Sequence, residues 1–318
     1  MKVAFALPLL MMLNPPTEVA PTASATATAA YNLSVEAPWS AHVKKADAGT
    51  LQLSVSERKG SSLGVTVKLA DLDGLSAADL DSGRPVSFRL RREAGVVTFS
   101  GRFREGRGEG TLGYDGDAGY WQRIAAMGIA NDWSQERYQL LALPLLDVRT
   151  DYVAALRREG AMGALSDYVG MKAVDVRPEM VREVRPLVAG PLKPNDLMGF
   201  AALGVTPEYA REMRAALSTL KASDLSSMQA MGVRPADVAR FKAIGLALSP
   251  QDAAGMKALG VTPDYVAEMR AAGARIRTAA DAQSFRALGI SAAAVRRTVA
   301  AGKPNPGVSD VMETSVRY

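Results

Sequence analysis

Residues 203–217 read LGVTPEYAREMRAAL and residues 259–273 read LGVTPDYVAEMRAAG. Two phrases so similar, 56 residues apart, mark either a site used twice or a building block laid down repeatedly. Aligning the chain on the valine of this phrase decides between the two. Val148 (DVRTDYVAALRREG), Val176 (DVRPEMVREVRPLV), Val205, Val233 (GVRPADVARFKAIG), Val261 and Ile290 (GISAAAVRRTVAAG) share one register. Their successive spacings are 28, 29, 28, 28 and 29 residues. A fixed period of this length is the signature of stacked repeats, and the quoted phrases are copies three and five of six.

Each copy carries the punctuation of a helix-turn-helix. Thr206-Pro207 and Thr262-Pro263 place a capping hydroxyl before a proline at the first helical position, where the missing N–H costs nothing. Glu179, Glu208 and Asp264 follow in the first turn, where an acid complements the helix dipole. Gly160, Gly190, Gly245, Gly273 and Gly302 are placed to close these second helices. A first helix such as PQDAAGMKAL begins after Ser249 and stops at Gly260.

The core columns share the register. Five residues before the anchor stand Leu143, Met171, Phe200, Met228, Met256 and Phe285; two before it stand Leu146, Val174, Leu203, Met231, Leu259 and Leu288. Their three-residue separation predicts one buried face of the first helix. The second helices offer Val153, Val181, Val238, Val266 and Val295, with Leu156, Val184, Met213, Phe241 and Met269 one turn on. Helices this short cannot bury such faces in isolation, so the units must stack into an α-solenoid over residues 142–302.

Two further columns are candidate partner-binding residues. Nine residues after the anchor stand Arg157, Arg185, Arg214, Lys242 and Arg270, with Val299 in the sixth copy. Stacked, they form a positive ladder that grips an acidic partner or simply complements the ends of its own helices. Tyr152, Tyr209 and Tyr265 recur at the fourth position after the anchor and either line the same groove or pack half-buried.

Upstream of the repeats the period changes. Residues 1–30 have one lysine, the apolar run AFALPLLMML and a small-residue stretch with A-x-A triplets, the pattern of a secretory signal peptide. The apolar run is shorter than the roughly 20 residues a membrane-spanning helix needs. Over residues 31–116 apolar and polar residues alternate in TLQLSVSE, GVTVKLA, VSFRLRRE, VVTFSGRF and GTLGYD, predicting an antiparallel β module with a tight hairpin at Ala94-Gly95. One face is apolar and the other carries Arg89, Arg91, Arg102 and Arg104. Residues 117–141, with Trp121 and Trp133, read as a helical cap, and 303–318 as a poorly ordered tail. The fold class is therefore α+β, a small antiparallel sheet followed by about six helix-turn-helix repeats.

Composition narrows the chemistry. The 318 residues contain no cysteine and one histidine, so thiolate catalysis and cysteine metal sites are excluded, and any histidine chemistry rests on His42. A net charge of +5 is a mild attraction to anionic surfaces and no argument for nucleic acid. Three local patterns fail on context. The glycines of FREGRGEGTLG precede no helix, so no phosphate loop forms. Ser56 and Lys59 satisfy S-x-x-K without its partner motifs. Asp71, Asp73, Asp79 and Asp81 resemble a calcium loop lacking its fifth-position ligand and closing glutamate, which favours a helix-capping turn. No metal or cofactor is implied.

The tandem LGVTPEYxxEMRAAG units and the VSFRLRREAGVVTFSGRF hairpin resemble uncharacterised repeat regions of exported bacterial proteins, some attached to antibiotic-sensor-type membrane metallopeptidases. The H-E-x-x-H motif and membrane spans of those peptidases are missing here, so peptidase activity does not carry over. The resemblance implies an extracytoplasmic sensory or interaction role. The expectation is a non-catalytic protein of the periplasm or cell envelope that binds a protein or peptide partner through its solenoid. Binding of an anionic envelope polymer through the basic ladder and sheet face, and hydrolysis by carboxylates alone, are the alternatives.

Overall fold

The computed structural model describes residues 37–44, 47–56, 62–132 and 137–316. The leader, Lys59 and Trp133 lie outside the described residues.

Seven antiparallel strands form one curled sheet: β1 Ala37–Lys44, β2 Asp47–Ser56, β3 Ser62–Lys68, β4 Leu72–Asp73, β5 Pro85–Arg92, β6 Gly95–Arg104 and β7 Arg107–Gly116. Their order is β3-β2-β1-β7-β6-β5-β4. The interior strand β1 is absent from the sequence expectation because its inward residues, Ala37, Trp39 and Ala41, are mostly too small to register as an apolar alternation. The β5–β6 turn is Glu93-Ala94, one residue earlier than expected, and Gly95 already pairs with Arg92.

Trp39 organises the inner face. It sits opposite Gly110 on β7, and its indole N–H donates to the carbonyls of Thr111 (3.0 Å) and Ser100 (3.3 Å). The ring packs edge-on to Phe88 and Phe99, which stack with centroids 4.8 Å apart. Gly101 and Gly110 face each other beneath it. A Cβ on Gly110 would lie 2.0 Å from the Ser100 oxygen, and one on Gly101 would lie 2.8 Å from the indole. Only glycine lets the strands approach there. The aspartate segment is the capping turn its sequence favours: Asp79 accepts from the N–H and hydroxyl of Ser76 at the start of a 3₁₀ turn, while Asp71 and Asp73 pair with Arg92 and Arg91.

The helical part begins with α1 (Ala118–Ala126). The first helices of the six units are α2 Ala142–Leu145, α4 Leu165–Ala173, α6 Pro194–Leu203, α8 Ala222–Ala230, α10 Pro250–Ala258 and α12 Ala279–Ala287. The second helices are α3 Thr150–Arg158, α5 Pro178–Val184, α7 Pro207–Ala216, α9 Pro235–Ala243, α11 Pro263–Ala271 and α13 Ala292–Ala300. First helices pack on first helices and second on second, giving two layers. α1 precedes α3 in the second-helix layer, and α2 packs on β5 and β6. The sheet core and the core of the early repeats form one continuous apolar cluster. Among the described residues no helix is long and apolar enough to cross a membrane.

The turn within each unit is the same each time. The anchor N–H donates to the carbonyl five residues earlier, as in Val205 to Phe200 (2.8 Å), Val233 to Met228 (2.9 Å) and Val261 to Met256 (2.8 Å). The preceding residue is left-handed, with glycine at 204, 232, 260 and 289 and aspartate at 147 and 175. This is a Schellman closure, whose apolar pair is the anchor and the residue five before it. Both columns are buried throughout. The column two before the anchor is not, which corrects the sequence expectation. Val174, Leu203, Met231, Leu259 and Leu288 are 38–54% exposed, and Leu146 is half-buried. That position caps the helix end, and the left-handed residue after it turns the chain inward, leaving its side chain outside.

A second column escaped the sequence reading. Asp167, Asp196, Asp224, Asp252 and Asp281 each accept the N–H of the residue three before, closing the start of a first helix. Asp310 continues the series by accepting from Gly307. The expected disordered tail is therefore corrected. It holds helix α14 (Val308–Val316), which repeats the start of a first helix and packs on α12 and α13 with Val311 buried.

One carboxylate joins sheet to solenoid. Glu93, in the β5–β6 turn, accepts from the N–H (2.9 Å) and hydroxyl (2.5 Å) of Thr150 at the start of α3 and pairs with Arg123 of α1 (3.1 Å). Partial burial pushes its pKa up, but these donors outweigh burial and hold it below the usual carboxylate range. A depressed carboxylate stabilises the fold fully above its unfolded pKa and loses that contribution as pH falls through the folded one. Glu93→Gln is expected to lower stability by about 1–3 kcal/mol at neutral pH, with the deficit shrinking in acid. Chemical denaturation of both proteins at pH 7 and pH 3.5 checks this, and a constant deficit refutes it. Gly110→Val should be far worse and fail to yield a cooperative melting transition.

Candidate functional site

The edge formed by the turns between first and second helices holds two of the repeating columns. The exposed apolar residues cap the first helices, and Tyr152, Tyr209 and Tyr265 follow within the first turn of α3, α7 and α11. The cations sit five residues further on, at the other end of the same helices. The two candidate columns therefore do not line one groove.

At their own edge four of the five cations are bound to backbone oxygens. Arg185 donates to the Glu159 carbonyl of the preceding unit (3.1 Å), Lys242 to that of Ala215 (3.2 Å) and Arg270 to that of Ile244 (2.6 Å). Arg270 also donates to Ile276 (3.0 Å), and Arg214 reaches Leu217 (3.0 Å) and Ser218 (2.6 Å) in its own unit. Arg157 meets the Tyr168 hydroxyl at 3.3 Å. Three of the five cations thus stitch a unit to its predecessor through exposed helix-end carbonyls.

The tyrosines stitch in the other direction. The Tyr152 hydroxyl donates to the carbonyl of Val176 (2.8 Å) and that of Tyr209 to Val233 (3.1 Å), in both cases the anchor of the next unit. Burial raises the pKa of all three tyrosines, that of Tyr209 up to about 12. Tyr265 is seated in the same way under the guanidinium of Arg286 (5.2 Å from the ring), but its buried hydroxyl finds no acceptor among the described residues.

These tyrosines belong to units one, three and five. Units two, four and six have Met180, Asp237 and Ala294 at the same position. The repeat therefore alternates, and where tyrosine is missing the junction stays open. A cleft of about 340 Å³ lies between units two and three, beside Met180, Phe200 and Val205. Another of about 170 Å³ lies between units four and five, beside Asp237, Met256 and Val261. The recurrence of tyrosine every second copy was visible in the sequence; its meaning, a filled against an open junction, needed the packing.

Elsewhere the features are shallower. His42 is exposed on β1 and borders an open polar hollow with Asp81, Glu105, Arg107 and Glu109 at the end of the sheet. Its imidazole makes no hydrogen bond among the described residues. The carboxylates with a shifted pKa (Asp79, Glu93, Glu208 and Asp281) all shift downward, each held as an anion by donors, the opposite of what a general acid requires. Among the described residues no cluster of acids or histidine is arranged to hold a metal. On the outward sheet face Arg89, Arg102, Arg104 and Arg107 form no ion pair among the described residues, whereas Arg91 is bound by Asp73. No known protein family, curated protein or solved structure matches the chain.

Tyr209→Phe should cost about 1 kcal/mol, read as a lower denaturation midpoint. Because the folded hydroxyl titrates above its unfolded value near pH 10, that difference should be fully present below pH 10 and fade as pH rises toward 12. Replacing Arg185, Lys242 and Arg270 together with glutamine should lower the melting temperature, whereas a ladder free to bind partners would leave it unchanged.

Proposed function

We propose that this chain is a non-catalytic interaction protein, exported to the periplasm or cell envelope, that binds a protein or peptide partner along the turn edge of its solenoid. The observation that carries the reading is the exposed apolar ladder. Single exposed leucines are ordinary on any surface. Here one position is apolar in all six units and exposed in five of them, while the column two residues before it varies freely through Pro144, Lys172, Ala201, Gln229, Lys257 and Arg286. The five exposed members keep 38–54% of their surface outside the packing of the repeats. A row of apolar groups on a rigid scaffold suits a partner that lies along several units. The leader motif and the resemblance to exported repeat regions support the compartment.

The test is capture from cell envelopes with residues 31–318 as bait, comparing wild type with Leu203→Ser/Met231→Ser/Leu259→Ser. These positions are surface-exposed, so the variant should melt within a few degrees of wild type. It should lose the captured partner. Retention of the same partner by a folded variant defeats the proposal.

A second reading rests on the four sheet-face arginines that form no ion pair among the described residues, whose planar guanidinium groups suit the oxyanions of an envelope polymer. Binding to sulfated dextran should weaken steeply with salt, and Arg102→Gln/Arg104→Gln/Arg107→Gln should flatten that dependence. Salt-independent binding would reject it.

A further inference from the structure

We propose that the open clefts between units two and three and between units four and five are receptors for tyrosine side chains of a peptide partner. The inference deepens the interaction reading above by naming the group recognised.

The occupant is argued from the chain itself. At the junctions after units one and three, Tyr152 and Tyr209 fill this same place, each with its ring between neighbouring units and its hydroxyl on the next anchor carbonyl. After units two and four the receiving parts recur without the tyrosine. Val205 and Val261 stand where Val176 and Val233 stand, and their carbonyls accept no hydrogen bond among the described residues. Phe200 and Met256 supply the apolar floor, and Val174 of the exposed ladder borders the first cleft. A phenol offers an apolar ring and one donor, matching an apolar slot that ends in one free acceptor.

The probe is p-cresol, the tyrosine side chain itself, titrated into the full chain and followed by amide chemical shifts. Saturable shifts at Gly204, Val205, Gly260 and Val261 are expected, with toluene, which lacks the donor, about five-fold weaker. Met180→Tyr/Asp237→Tyr should fill both clefts internally, abolish the shifts and raise the melting temperature. Tyr209→Ala should open a third cresol site at Val233, which keeps the test valid if the double variant does not fold. Shifts that persist in the double variant, equal binding of toluene, or no new site in Tyr209→Ala would each overturn the proposal. So would wild-type self-association that the double variant loses, because the occupant would then be a second copy. None of these arms touches Leu203, Met231 or Leu259, so a failure here is separable from failure of the broader interaction reading.

Discussion

The hydrogen bond from each anchor N–H to the carbonyl five residues back is the constraint on which the architecture depends. It forces the chain through a left-handed residue and reverses it within a single turn. It also clamps two apolar side chains together at the reversal: Val205 on Phe200, Val261 on Met256, Ile290 on Phe285. With the turn fixed, the two helices of a unit can only present their remaining apolar stripes sideways. Those stripes are too large to leave wet and too small to form a core within one unit, so copies stack until a different element covers each end. At one end the cover is the sheet together with α1; at the other it is α14.

Most of this was legible because the repeat is its own alignment. Six copies show which columns are always apolar, where proline and threonine start a helix and where glycine stops one. Misreadings arose where a column carries two possible meanings. Leu203 and Phe200 lie three residues apart, which on a continuing helix is one face, but the helix ends at Leu203 and the left-handed Gly204 takes the chain elsewhere. Periodicity cannot see that difference unless the closing motif is placed first. Strand β1 was hidden for another reason: it is paired on both edges, yet two of its three buried side chains are alanines, and the large one, Trp39, is accommodated by glycines about 60 and 70 residues downstream.

The candidate site was less legible than the fold. Tyrosine and cation columns were both evident as repeats, but whether a repeated polar group faces a partner or the next unit depends on what lies within reach of its tip. For Arg185, Lys242 and Arg270 that is a helix-end carbonyl, and for Tyr152 and Tyr209 an anchor carbonyl. Residues that look functional because they recur are here largely the mortar between units. The informative positions are those where the mortar is left out.

That uneven stitching also makes the solenoid mechanically non-uniform. The junctions between units one and two and between units three and four carry a tyrosine bond and a cation bond each, whereas the side-chain bond recorded between second helices at the junction of units two and three is the half-exposed pair Arg211–Glu183 (3.3 Å). Exposed pairs of that kind contribute little. Between units five and six Val299 stands in place of the cation and the Tyr265 hydroxyl has no acceptor among the described residues. The solenoid is therefore less a uniform spring than two stiffened pairs of units, one with two and three with four, joined to their neighbours by softer couplings.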